Sequence, residues 1–500
     1  MKNRDFERLR QQVAEICDLR AAAALLDWDL QVGLPPGAAA GRTLQSGTLA
    51  GVIHRRSTSP AIGRLLERLE RESFEPDSFE AAFLRRVARD YRRRTRVPGR
   101  LVAAISSAAG NAYNAWLRAR ESADFRLLAP DLERMVELKN EYASLFPEFD
   151  SPYDALLDDY EEGAVSAELD RVFDTLRVAQ TALVREIAAR PQVEDSFLSG
   201  EFGASAQLSF SRMTVRRLGY DFNRGRLDLT EHPFTTSFGL SDVRITTRVV
   251  RTLPLSCLLS AVHECGHAIY EQGIDPSFDR SLLADGASLG FHESQSRLYE
   301  NQVARSLPFW KFFFPKLRKR FPRQLGGVSV EAFYRAVNKV EPSLIRTEAD
   351  EATYNLHIML RYELEKELFA GRLRVAELPE AWNCRMRDCL GIVPPDDRSG
   401  VLQDIHWALG DFGYFPTYAL GNLIGAMVWK QLRSECPGID DEIAAGRFAP
   451  LRAWLREHLH RYGASLPPAE LLERICGRRT VDAGGYVEYL REKFRAVYDL

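Results

Sequence analysis

A chain of 500 residues with a net charge of −3 has no charge excess to draw it to nucleic acid or to an anionic membrane. A hydrophobic content of 45% fills a sizeable core, and this length suits two lobes better than one small domain. The 7 cysteines are odd in number and none forms a C-x-x-C pair, so free thiols in a reducing, cytoplasmic compartment are expected.

The N-terminal stretch MKNRDFERLRQQ is polar and lacks the apolar centre of a signal peptide. Leu9, Val13, Ile16, Leu19, Ala23 and Leu26 form a stripe that predicts a helix over residues 4–30. LPPGAAAGR at 34–42 breaks it, and helical patterns resume over 43–55, 60–72 and 79–94. The run YRRRTR at 91–96 reads most simply as a solvated helix face. Its functional alternative is a basic rim that draws carboxylates into a cleft. Helical spacing continues over 101–122 and 128–144. SPYDALLDDYEEG at 151–163 reads as a turn, a short helix and a linker. It divides the chain into an N-terminal lid lobe, 1–150, and a second lobe, 151–500. After a helix over 166–190, the texture changes. Residues 207–250 are rich in Phe, Thr, Arg and Gly, and DVRITTRVV at 242–250 alternates as the one convincing strand.

The chain is organised around PLSCLLSAVHECGHAIYEQG, residues 254–273. Pro254 suits a first helical turn, Leu255, Leu258, Leu259, Val262 and Ile269 form an apolar stripe, and Gly273 is placed to stop the helix. On that helix His263 and His267 are four apart and share a face, so two imidazoles can grip one ion. Two neutral histidines and one carboxylate hold Zn²⁺ with a position open for water, whose pKa the ion lowers to roughly 7. Glu264, beside the first ligand, is then the general base. The plainer alternative is two histidines that merely pack. Downstream, Ser288 can cap a helix over about 290–307 that carries His292, Glu293 and Glu300. Glu293, 26 residues after His267, is the expected third ligand. His292 is its rival, and Glu300 is a more distant candidate or an acid that orients an imidazole. The strand just before this helix is expected to offer a free edge to an extended peptide, the alternative being a structural hairpin.

Residues 345–369 read as one long amphipathic helix, with Arg346 and Asp350 four apart near its start. They are either a helix salt bridge or a guanidinium facing the cleft. GVLQDIHWALGDFGYFPTYALGN at 400–422 sets Gln, Asp, His, Trp and Tyr among apolar residues, as satisfied core groups or as donors aimed at a site. The longest apolar run, 414–429, is interrupted by Gly, Thr and Asn and falls short of the roughly 20 apolar residues of a membrane span. Residues 437–500 read as further helices without evident chemistry.

Six motifs occur in order: HPF at 232–234, DVRIT at 242–246, HECGH at 263–267, HESQ at 292–295, IRTEAD at 345–350 and GVLQDIHW at 400–407. By these the chain resembles the carboxypeptidase Taq family of metallocarboxypeptidases, with family texture from Trp28 and Asp29 through YDALLD at 153–158 to the C-terminus. Leu34 stands where Met is expected in the early MPP-like turn, and Cys265 occupies a variable position in the metal motif.

The resemblance implies an all-α fold, mostly helical, neurolysin-like, with two lobes around a deep groove and a small β-sheet near the metal site. It implies one catalytic domain over 1–500 and removal of single residues from the free C-terminus of peptides. It assigns the metal to His263, His267 and Glu293 and the base to Glu264. It implies Zn²⁺, with Co²⁺ able to substitute, and a homodimer. An oxyanion donor beyond the metal is expected from His406, Tyr414 or Tyr418, with Tyr418 first by similarity to related helical peptidases. Arg244 and Arg346 lie in family motifs and are the candidates for the terminal carboxylate, structural salt bridging being the other role for each. Gln403 and His232 are expected to shape the pocket. The competing readings are an oligopeptidase of the same helical type and a non-catalytic helical metal-binding protein. A nucleic-acid binder resting on residues 92–96 fits poorly with the overall charge.

Overall fold

The computed structural model describes residues 4–500, so the first three residues of the polar N-terminus lie outside it. Helices α1 (Arg4–Val32), α2 (Ala39–Ser57), α3 (Pro60–Leu69) and α4 (Phe79–Arg96) build the N-terminal part. Helices α5 (Gly99–Ser122), α6 (Ala129–Ser144), α7 (Pro152–Leu157), α8 (Ser166–Ala188) and α9 (Ala204–Leu218) follow. Three short strands come next, β1 (Leu227–Leu229), β2 (Thr235–Ser237) and β3 (Val243–Thr247). The metal-motif helix is α10 (Ser256–Gly273), and α11 (Leu289–Arg297) runs directly into a π-helical stretch, Leu298–Ala304. The remainder is α12 (Leu307–Arg320), α13 (Pro322–Leu325), α14 (Val330–Val337), α15 (Tyr354–Phe369), α16 (Leu378–Leu390), α17 (His406–Leu409) and α18 (Pro416–Glu435). The C-terminus adds α19 (Ile439–Ala444), α20 (Ala449–His458), α21 (Pro468–Cys476) and α22 (Ala483–Tyr498). The fold is mostly helical with one small sheet, as expected.

Three local expectations are corrected. The DVRIT strand is not a free edge. The sheet order is β1–β3–β2, with β3 parallel to β1 and antiparallel to β2, so Ile245 faces Leu227 on one side and Thr235 on the other. Val243, Ile245, Thr246 and Thr247 are fully buried, as a central strand with both faces covered requires. The edge nearest the metal-motif helix is β2, from the HPF segment. Second, the helix read over 345–369 begins at Tyr354. Asp350 does not pair with Arg346. Its carboxylate accepts from the backbone N–H of Glu341, Ala352 and Thr353, which fixes a turn, while the Arg346 side chain goes to Asp404. Third, the helix over 290–307 is α-helical only to Arg297.

Buried apolar residues fall into two clusters. A small one joins α1, α3 and α4 through Phe6, Leu9, Val13, Leu66, Leu69 and Phe83, with Leu283 inserted from the distant chain. A large one runs from Leu101 to Tyr498 and encloses α10, α11, α15 and α18. Polar contacts cross between α4 and the segment after α7: Arg86 to Glu162 at 3.1 Å, Arg89 to Asp158 at 2.8 Å, and Arg93 to Asp158 and Asp159. The basic run is therefore not uniformly solvated. Arg92 is exposed with Glu70, but Arg93 turns inward. Two cavities of about 540 Å³ flank this junction. One lies among α4, α5, α6 and the 285–289 segment. The other lies between α1 and the 237–241 and 279–285 segments, where Cys17, Arg20 and Glu271 line it.

Candidate active site

The site is assembled where α10, α11 and α18 meet at near-backbone distance, and three glycines permit it. A Cβ on Gly421 would run into Cβ and Cγ of Glu293, and one on Gly425 would stand 3.0 Å from the Ser294 carbonyl. A Cβ on Gly266 would stand 2.7 Å from Cα of Ser296. Ser288 caps α11 by accepting from the Phe291 N–H, as expected.

His263 Nε2 and His267 Nε2 lie 3.5 and 3.3 Å from Glu293 Oε2, and the three donor atoms are all within 4.8 Å of one another. The edge of a tetrahedron with metal–ligand bonds near 2.05 Å is about 3.3 Å, so two nitrogens and one carboxylate oxygen fit a zinc-sized ion. Both Nδ1 atoms are engaged away from that point. His263 Nδ1 meets Glu300 Oε2 at 3.0 Å. His267 Nδ1 meets His292 Nδ1 at 2.6 Å, and His292 Nε2 meets Glu271 Oε1 at 2.8 Å. An ion held through Nε2 would fix the protons, His267 Nδ1–H then donating to His292 Nδ1 and His292 Nε2–H to Glu271. In this arrangement His292 stands behind His267 and Glu300 behind His263, and His292 also belongs to a second group, with Glu271 and Asp285, that could hold an ion.

Charge around the donors is ordered by Arg297. It donates to Glu293 Oε1 at 2.7 Å and to Glu300 Oε2 at 3.3 Å, with its guanidinium 4.2 Å from the Tyr354 ring centre. Burial alone would raise both carboxyls, but Arg297 and the imidazoles hold Glu293 and Glu300 well below the usual carboxylate range. Burial, with His292 and His263 nearby, pushes His267 down to about 3 despite Glu293, so the ring is neutral and its lone pair is available. Glu264 is 7% exposed, and burial raises its pKa against the opposing effects of His263 and of Thr235, whose Oγ1 donates to Oε2 at 2.7 Å.

The second cluster sits on α17, the following loop and α18. His406 Nε2 meets Tyr418 OH at 3.2 Å, and the Tyr414 ring lies 5.2 Å from that of Tyr418 and 5.4 Å from His406. Burial, opposed by Asp404 and reinforced by Arg346 and Arg361, takes His406 down to about 4, so it is neutral. Burial raises both phenols, Tyr414 to about 12, and the Glu293 charge adds to the rise in each, which puts this cluster within electrostatic reach of the metal ligands.

Arg346 is 6% exposed and fully engaged. It donates to Asp404 Oδ1 at 2.8 and 3.1 Å and to Tyr354 OH at 3.1 Å, beneath the Tyr418 ring. Gln403 Oε1 accepts from the Arg346 N–H and from Arg361, and its amide donates to three carbonyls, so it braces this loop. Arg244, on β3, makes a two-pronged pair with Asp242 and lies between the Trp28 and Phe238 rings at 4.5 and 4.8 Å. It is therefore separate from the Arg346 cluster. His232 is exposed on the approach to β2.

Sequence reading missed Thr235, Glu271, Arg297 and the glycines of α18. Only the last left a usable signal, small residues four apart at 421 and 425, the spacing that lets two helices approach closely.

Comparison with known proteins agrees with this geometry. The sequence model of the carboxypeptidase Taq (M32) metallopeptidases matches residues 8–494. Thermostable carboxypeptidase 1 of Thermus thermophilus is 40% identical over 505 aligned residues, covering 99% of each chain. Carboxypeptidase 1 of Bacillus subtilis is 37% identical, covering 95% of each. The crystal structure of an M32 carboxypeptidase from Deinococcus radiodurans superposes with a TM-score of 0.97 at 41% identity, covering 100% of both chains.

Proposed function

The chain belongs to the carboxypeptidase Taq (M32) family and is a metallocarboxypeptidase, and on that premise we propose that it removes single residues from the free C-terminus of peptides, using Zn²⁺ held by His263, His267 and Glu293. The convergence of two Nε2 atoms and one carboxylate oxygen beside Glu264 carries this reading. A bound ion supplies Lewis acidity toward the scissile carbonyl and a water molecule.

The protein's own groups do the rest. Glu264 takes the proton of the attacking water and returns it to the leaving amine, and its raised pKa suits a group that must both accept and donate near neutrality. Thr235 holds the acceptor oxygen in place. His263 and His267 are proposed to turn their Nε2 atoms toward the ion because Glu300 and His292 engage their other nitrogens. Tyr418, with Tyr414 and His406 as its companions, is the proposed donor to the developing oxyanion. For the terminal carboxylate, the single Asp242 partner and the partial exposure of Arg244 favour it over the buried, fully bonded Arg346. Gln403 and His232 are retained as pocket-shaping residues.

The same proposal takes residues 1–150 as a lid over a metal-site lobe, 151–500. The separate apolar cluster of α1, α3 and α4 supports a lid, with the clusters parting near residue 100. A homodimer and a cytoplasmic location rest on family resemblance and on composition. Among the described residues, no helix is long and apolar enough to cross a membrane.

The test is a time course on one free-acid peptide and its C-terminal amide, with protein stripped of metal and reloaded with Zn²⁺ or Co²⁺. Successive single-residue losses from the free acid alone support the proposal. Internal fragments from both peptides would make the protein an oligopeptidase, and no cleavage with either metal would defeat the catalytic reading.

A further inference from the structure

The cavity among α4, α5 and α6 is lined by one buried ammonium that makes no direct ion pair among the described residues. Lys139, on α6, is 8% exposed and lines this space of about 540 Å³. Its ammonium stands 4.8 Å from the Tyr142 ring centre, and among the described residues it makes neither a hydrogen bond nor an ion pair. The other cations of the wall are already neutralised. Arg86 pairs with Glu162, Arg89 with Asp158 and Glu162, Arg93 with Asp158 and Asp159, and Arg94 with Asp90. An anion approaching any of these guanidiniums meets a carboxylate first. Lys139 lies in the field of Asp159 and Asp411 but makes no direct ion pair with either, so its N–H donors beside the Tyr142 ring stay free to hydrogen-bond a bound carboxylate.

The cavity adjoins the catalytic groups. Tyr160 in its wall packs edge-on against Tyr414 at 5.1 Å, and Ser288 in its wall caps the helix that carries Glu293. We propose that this cavity is a subsite for an acidic side chain of the peptide substrate, with Lys139 as the residue that selects its carboxylate. This rests on the peptidase reading above. An extended peptide advances about 3.3–3.6 Å per residue, so one substrate position should reach Lys139 and its neighbours should not.

The experiment measures binding, so it does not depend on turnover. Zn²⁺-loaded Glu264→Gln protein is titrated against fluorescein-labelled alanine hexapeptides with a free C-terminus. A single Glu, or Gln as its control, is walked from the second to the fifth position from that end. The expected result is one position at which Glu binds at least tenfold tighter than Gln, a difference that Lys139→Met erases and that added inorganic phosphate reduces. Equal affinities at every position, or a Glu preference that survives in Lys139→Met, would overturn the proposal. The first of these outcomes needs no Lys139 variant to be folded. The peptidase reading is scored separately, by release of C-terminal alanine from the Gln peptides by wild-type protein.

Discussion

The metal-site region and the α1–α4 region are held by opposite kinds of contact. Around the candidate metal ligands, α10, α11 and α18 meet through glycines, and each ring nitrogen of His263, His267 and His292 has a polar neighbour. Around α4, a small apolar cluster rests on the rest of the protein mostly through arginine–carboxylate pairs and two cavities. Close packing fixes positions to fractions of an ångström, whereas partly exposed ion pairs can be exchanged for water at small cost. The arrangement places rigidity around the candidate metal ligands and leaves the α4 junction easier to part.

The sharpest check on the rigid side is Glu264→Gln, which should lower kcat by about 10²–10⁴-fold while Zn²⁺ content, measured by mass spectrometry, stays at the wild-type level. Gly421→Ala tests the packing directly. Its methyl group must displace Glu293, so thermal unfolding should show a loss of about 1–3 kcal/mol together with reduced metal binding. Unchanged stability and metal content would mean that the close approach is not needed.

A pH prediction also belongs to this side. Glu161 joins the start of α11 to α18 through Gly290 and Thr417, and Glu365 joins α15 to the catalytic loop through Trp407 and Gly413. Burial raises both carboxyls to about 7, against hydrogen bonds that lower them. The folded state therefore binds their protons more tightly than the unfolded chain does. Their stabilising contribution is complete below about pH 4.5 and is lost as pH rises to and through 7, on the order of 2–3 kcal/mol each. Denaturant melts between pH 5 and 8 should show that decline, and Glu161→Gln should flatten part of it.

Smaller effects follow from the supporting residues. His292→Gln or Glu300→Gln should weaken Zn²⁺ binding by about 10–100-fold in a chelator competition, with the fold intact. On the yielding side, Glu162→Gln removes the shared partner of Arg85, Arg86 and Arg89. It should cost no more than about 1 kcal/mol and should change KM more than kcat, an effect that added salt reproduces in the wild-type protein.

The candidate metal centre was legible in the sequence because helical periodicity alone puts His263 and His267 on one face, and Ser288 marks where the next helix starts. The supports were not. Thr235 reaches Glu264 from a strand of three residues, too short to announce itself, and its neighbour β3 reads as an edge because nothing local reveals a partner on each side. Arg346 and Asp350 mimic a helical pair, yet one is drawn to Asp404 and the other to backbone amides. The unpaired state of Lys139 is equally invisible in a sequence where basic residues abound, since it emerges only when every neighbouring arginine has found its carboxylate.

Cys17 offers a way to watch the junction directly. It lies half-buried on α1 in the wall of the second cavity, and burial pushes its thiol up to about 11. Alkylating reagents should therefore modify it slowly, and faster when α1 draws away, whereas exposed Cys384 reacts continuously and buried Cys257 and Cys265 stay silent. The labelling rate of Cys17 relative to Cys384 becomes a built-in clock for opening at α1, and under the proposed lid role a slowly cleaved peptide should make that clock run slow.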